Sequence, residues 1–390
     1  MIPDDWDAIF IADLFTFKNG LNKGKQFFGY GTPIVNYMDV FSSSMLRTET
    51  IDGLVDVSFN ELNLYQVCKG DVFFTRTSET VEEIGIAAVM LEEPKNTVYS
   101  GFLLRARPID DSLDDMFKAY CFAPYYFRQQ IRARASYTTR ALTNGPSLSA
   151  SLLIRPPLPE QRAIAAALSD VDKLLTKLDS LITKKIYLKQ ATMNQLLTGQ
   201  IRLPKHNGEW VVKRLGEQIT KFQKTSRQSA TGKTEGKYPF FTNSTKPYDK
   251  YLDEYDFNVE AIIANTGGAA HFNYFKGPFA AMADCMVFET QLVTRFIYFL
   301  LKLMEQKIND TGFSGSGIKH LDKSYFFNIE LYLPSTLGEQ EAIANILSDM
   351  DDQIAAIEAR RRKTLNIKLA MMQELLTGKT RLVKPEATHA

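Results

Sequence analysis

The chain repeats itself. Glu160-Gln161-Arg162-Ala163-Ile164-Ala165 returns as Glu339-Gln340-Glu341-Ala342-Ile343-Ala344, and Leu168-Ser169-Asp170 returns as Leu347-Ser348-Asp349. Gln195-Leu196-Leu197-Thr198-Gly199 returns as Glu374-Leu375-Leu376-Thr377-Gly378, followed by Arg202-Leu203 and Arg381-Leu382. The offset is 179 positions throughout, with no gap and 19 identities in 44 aligned positions, so the chain is a duplication. The repeated segment reads as a long helix. Apolar residues Ile164, Leu168, Val171, Leu175, Leu178 and Ile182 alternate spacings of four and three, as a coiled-coil seam does. The later copy keeps the seam at Ile343, Leu347, Met350, Ile354 and Ile357. No proline interrupts Glu160 to Leu197, and Gly199 and Gly378 stand where a helix stops. Such a helix extends about 57 Å at ~1.5 Å per residue. Ile182 then corresponds to Arg361 within Arg360-Arg361-Arg362-Lys363, a basic run suited to solvent, phosphate or a partner.

The rest of the sequence differs in kind. Short apolar runs such as Val72-Phe73-Phe74, Ile84 to Val89 and Ala261-Ile262-Ile263-Ala264 are punctuated by Gly, Asn and Asp, which predicts mixed α/β globules with many turns. The two globules resemble each other only faintly. Each opens on a tryptophan and a strand-like run (Trp6 to Phe17, Trp210 to Phe222) and closes in a proline-containing exit, Arg155 to Pro159 or Leu331 to Pro334. The expected boundaries are a head at 1–158, a helix at 159–203, a second head at 204–334, and a second helix with a tail at 335–390. Similar helices joined to dissimilar heads imply one job done twice on two different targets.

Composition bounds that job. Forty-six Lys and Arg against 45 Asp and Glu leave a formal charge of +1, which excludes a chain basic along its whole length. No window approaches the ~18 consecutive apolar residues of a membrane span. The opening Met1 to Asp7 is acidic where a secretory signal is basic, so a cytoplasmic protein is expected. Cys68, Cys121 and Cys285 are odd in number and far apart, without a disulfide framework or a CxxC knuckle.

The sequence offers no catalytic constellation and no metal-ligand spacing among His206, His271, His320 and His389. It also lacks a P-loop. Phe313-Ser314-Gly315-Ser316-Gly317 imitates a glycine-rich cofactor loop but follows Gln306 to Asp310 rather than a buried strand, and is read as a turn. Asn265-Thr266-Gly267-Gly268 is likewise read as a turn, with ligand contact as the lesser alternative. Nucleic-acid signals are stronger. Met116 to Pro159 contains no acidic residue, and Arg128, Arg132, Arg134 and Arg140 there interleave with Tyr137 and Thr138. In the second head, Lys213 to Lys237 carries seven Lys and Arg against two Glu, with Lys221, Lys224 and Arg227 as the expected contacts. Further expected contacts are Thr75-Arg76-Thr77, which follow an apolar run, and the polar clusters Thr242-Asn243-Ser244 and Lys319-His320.

The proline exit, the Glu-Gln opening, Ala-Ile-Ala, Leu-Ser-Asp-x-Asp and the closing Leu-Leu-Thr-Gly-x-x-Arg-Leu resemble the conserved regions of type I restriction–modification specificity subunits. The second copy departs only in having Leu337-Gly338 before Glu339. The resemblance implies an α+β chain of two mixed α/β DNA-recognition domains. Two long helices, packed as an antiparallel coiled coil with an internal pseudo-two-fold, would join them. It implies a non-catalytic subunit in which each head reads one half of a bipartite double-stranded DNA site. The helices would set the spacer and dock two methyltransferase subunits, which two restriction subunits can join. S-adenosylmethionine, ATP and Mg²⁺ would belong to those partners, with none in this chain. The competing readings are a coiled-coil scaffold whose heads bind protein, and a fused methyltransferase or nuclease.

Overall fold

The computed structural model describes residues 2–137, 140–223, 225–246 and 249–383. Thr138 and Lys224, two of the expected contacts, lie outside them, and of Tyr137 only the backbone is described. The architecture is α+β, and the chain divides into two compact units: Met1–Lys177 with Arg360–Ala390, and Leu178–Ala359.

In the first unit a five-stranded sheet runs Phe15–Asn19, Leu103–Pro108, Val72–Thr75, Ala87–Met90, Met45–Leu46. Its first three junctions are antiparallel and its last is parallel. The second unit runs Ile219–Gln223, Cys285–Thr290, Phe257–Asn265, Phe272–Ala281, Tyr238–Phe241, with the same three antiparallel junctions and the same parallel one. One further strand, Tyr251–Leu252, is added at its edge. An antiparallel ribbon closes each head, Asp7–Phe10 with Leu152–Arg155 and Trp210–Arg214 with Glu330–Pro334. The faint sequence similarity of the heads therefore conceals one fold. The duplication extends through the whole chain.

The repeated segments are helices at Leu158–Leu197 and Leu337–Leu375. Pro159 sits in the first turn, where its missing N–H costs no intrahelical bond. Gly199 and Gly378 both lie at φ +73°, the left-handed conformation that ends a helix. A Cβ on Gly378 would come within 2.5 Å of Pro3, so this turn also needs the space.

Within each unit the two helical segments run in opposite directions. In the first, Glu160 meets Arg381 and Asp172 meets Lys368; in the second, Lys185 meets Gln353, Lys189 meets Asp351 and Arg202 meets Glu339. The start of the apolar seam does more than join helices. Ile164 and Leu168 are buried in one core with Phe117, Phe127 and Leu375. Ile343 and Leu347 are buried with Phe296, Leu300 and Leu197. Leu175 and Leu178 are buried too, while Val171, Ile182, Met350, Ile354 and Ile357 are half-buried. Gln161 and Gln340 are fully buried clamps. Each donates to a proline carbonyl just upstream, Pro156 or Pro334, and each accepts a backbone N–H from its head, Asp114 or Val293. Among the described residues no helix is long and apolar enough to cross a membrane.

Candidate nucleic-acid interface

In both heads a two-stranded hairpin docks on the segment that follows the central strand. In the first unit Ser136–Tyr137 pairs with Ala141–Leu142, and Ala141 and Leu142 pair in turn with Ser78 and Thr77. The Thr143 N–H extends the contact by donating to the Arg76 carbonyl at 3.0 Å. In the second unit Phe313–Ser314 pairs with His320–Leu321, and His320 bridges Gly267. Around that bridge the Leu321 N–H donates to Thr266 O and the Gly268 N–H donates to Lys319 O. The Phe313 to Gly317 segment is thus half of a hairpin. Its glycines serve the turn, as Gly315 at φ +144° requires.

This arrangement gathers residues that are scattered in the sequence. In the first unit Thr77 and Arg140 line one cavity of about 600 Å³ with Ser78, Glu79, Tyr37 and Phe102. The Tyr37 and Phe41 rings stack at 5.7 Å on its wall, and Met38 and Phe102 stand exposed at its rim. Arg140 is exposed, with the Glu79 carboxylate 3.8 Å away. In the second unit Asn243 and His320 converge on Gly267, with Lys319 bonded through its carbonyl to the neighbouring Gly268. Neither Glu79 nor the aromatic wall was flagged by the sequence, because each is remote from the basic windows. Tyr37 and Phe102 come from loops and a short helix far along the chain from Arg140.

Other expected contacts have different surroundings. Arg128 is half-buried and donates to the carbonyls of Glu82, Ile84 and Gly85 at 2.9, 2.6 and 2.6 Å, and burial pushes its guanidinium down to about 10. Arg132 is half-buried, and its Nε has no partner among the described residues. Arg134 is exposed and donates to Gln130 O. Thr75 is fully buried and stitches strand to turn through Glu83 O and the Ile86 N–H. Arg76 lines a separate depression with Lys18 and Asn144. Lys221 is exposed on the edge strand, 4.0 Å from Glu289. Arg227 is held by Asp256 at 2.8 Å, which raises its pKa, with Glu254 nearby. The Thr242 and Ser244 hydroxyls cap their own turn, accepting from the N–H groups of Ser244 and Lys246.

No group of His, Cys, Asp and Glu among the described residues is placed to hold a metal ion. Cys121 and Cys285 are buried, with burial pushing both thiols up, and Cys68 accepts from Arg107.

A family model described as the type I restriction modification DNA specificity domain matches residues 3–187 and again 207–366. The chain is 25% identical over 417 residues to the putative type I restriction enzyme MjaX specificity subunit of Methanocaldococcus jannaschii, covering 98% of this chain and 95% of that protein. It is 23% identical over 188 residues to the type I restriction enzyme EcoKI specificity subunit of Escherichia coli K12, covering 48% of this chain and 39% of that one. Among solved structures its fold is similar to the S subunit of a type I restriction–modification system from M. genitalium, with a TM-score of 0.63 at 17% identity over 96% of each chain.

Proposed function

The chain belongs to the type I restriction–modification DNA specificity family, and from that premise we propose that it is the DNA-recognition subunit of a type I restriction–modification complex. Each head reads one half of a bipartite duplex site. The observation that carries this is the hairpin seated on the post-strand turn in both units, built on one scaffold and furnished with different side chains. Arg140 and Lys319, both exposed on these hairpins, supply phosphate attraction, while the side chains beside them differ as two different half-sites demand.

The two long helices set the spacer and dock two methyltransferase subunits, to which two restriction subunits add. Supporting this, each unit leaves apolar helical side chains exposed: Ile186, Tyr187 and Leu188 in one, Leu365, Ile367 and Leu369 in the other. S-adenosylmethionine, ATP and Mg²⁺ act on the partners, and this chain performs no chemistry alone.

The test is transfer of labelled methyl groups to duplex DNA. The purified chain should transfer none, the methyltransferase partner should need this chain for specific transfer, and the methylated motif should be two fixed blocks separated by an unread gap. Methylation by this chain alone, or one uninterrupted motif, would overturn the reading.

A further inference from the structure

The turn–hairpin junction of the second unit holds a notch that glycine keeps open. A Cβ on Gly267 would stand 3.4 Å from Asn243 Nδ2 and 3.7 Å from His320 Nδ1, ordinary contact distances, so there is room for a methyl group beside both side chains that the glycine leaves unfilled. The backbone does not require glycine there. Gly267 is not among the residues with positive φ, whereas its neighbour Gly268 lies at +87°. Nor does the scaffold require it, since the position equivalent by pairing in the first unit is Ser78, whose hydroxyl donates to Glu83.

Asn243 is held ready from behind. Its carbonyl accepts from Asn265 Nδ2 at 3.2 Å, its own turn is closed by Thr242 and Ser244, and Cys285 Sγ donates weakly to its Oδ1. Its Nδ2 has no partner among the described residues, and the fully buried Asn265 Oδ1 beneath also has none. Across the notch stands exposed His320, and Ile318 on the hairpin tip is 72% exposed.

We infer that this notch is the base-reading element of the second head, taking the major-groove edge of an A·T pair. An amide pairs its donor and acceptor with adenine N7 and N6, and an apolar side chain suits the thymine methyl of the same pair. Asn243 therefore reads the adenine, Ile318 meets the thymine, and His320 donates to the neighbouring pair. The assignment rests on the DNA-recognition reading above and names the residues and base pair that carry it in one half-site.

The experiment selects bound sequences from a duplex pool randomised across the second half-site, using this chain in complex with its methyltransferase subunit. Asn243→Ala and the isosteric Asn243→Asp should each lose the adenine preference at one position by roughly 10- to 100-fold, leaving the first half-site and the gap intact. Gly267→Ala, which meets only ordinary contacts and so should fold, should lose the same position. His320→Ala should relax the adjacent one. Wild-type selection surviving all of these changes would overturn the notch while leaving the function reading standing. A wild-type complex that selects no sequence would overturn that reading, and the notch with it.

Discussion

Two arginines of one basic segment have opposite employments. Arg128 holds three carbonyls of the loop that follows the central strand region, and Arg140 stands in solvent beside Glu79. Replacing Arg128 with Ala leaves those carbonyls without their charged donor, and bonds to charged groups are worth about 1.5–3 kcal/mol net. Arg128→Ala is thus expected to destabilise the first unit by about 2–3 kcal/mol in chemical denaturation, without changing the salt dependence of DNA binding. Arg140→Ala should do the reverse: stability within about 0.5 kcal/mol of wild type, and a salt slope lower by ~0.9 if the contact is to phosphate. Sequence reading placed both residues in one candidate patch because it counts charges along the chain. The partners that separate them, at Glu82 to Gly85 and Glu79, are brought in by the fold. The junction residues were legible in another way. Thr77 and Asn243 closely follow the apolar runs Val72-Phe73-Phe74 and Phe240-Phe241, and the ends of strands are where polar side chains gather, whereas Lys319 and His320 follow a Ser/Gly turn.

At the scale of elements, the repeated residues explain one another across the duplication. The closing arginine of each helical copy meets the opening glutamate of the other, Arg202 with Glu339 and Arg381 with Glu160; the lysines and aspartates do likewise, Lys189 with Asp351 and Lys368 with Asp172. Arg381 is held by Glu160 and by a second carboxylate, Asp5, which together raise its pKa, and it lies over the Trp6 ring as Arg202 lies over Trp210. Glu339 is buried, with both its oxygens on Arg202. Arg202→Met should therefore strand a buried carboxylate and cost about 3–5 kcal/mol. Adding Glu339→Gln removes that charge and should return most of the loss, a coupling readable from a double-mutant cycle in urea. A double variant no more stable than Arg202→Met would show that the pair is not the link. The helices were legible because their apolar period holds from Ile164 to Ile182 and from Ile343 to Ile357, about five and four turns, with no proline to break the helix behind it. Their antiparallel pairing was expected only through the family resemblance, although opposite charges at the two ends of the repeat carry that signal. The sheets were hardly legible. Val72 to Thr75 is buried on both faces, so no alternation marks it, and strand order depends on partners far away in sequence.

For the whole molecule, the pairing has a topological consequence. The second unit is one continuous stretch, Leu178–Ala359, whereas the first is assembled from both ends of the chain. Each helix contributes residues to both units, and the ion pairs Lys368–Asp172 and Lys189–Asp351 each lie inside one unit. This separates what should be changed together from what should be left alone. If the helices set the gap between half-sites, lengthening both at the passage between units, after Lys177 and after Ala359, should alter the gap while preserving every pair within each unit. Four residues in each helix add about one turn and ~6 Å, or roughly one to two base pairs of B-DNA. They also nearly restore the facing of the apolar stripe. The methylated motif of the complex with the lengthened chain should therefore keep both half-sites and widen its gap by one or two base pairs. Two residues in each helix instead turn the stripe by about half a revolution and should abolish specific methylation, though each unit still folds. Lengthening only one helix breaks the register against its partner, so it should cost stability rather than move the gap. An active four-residue variant with an unchanged gap would exclude the helices as the ruler, and altered half-sites would show that heads and helices do not act as separate modules.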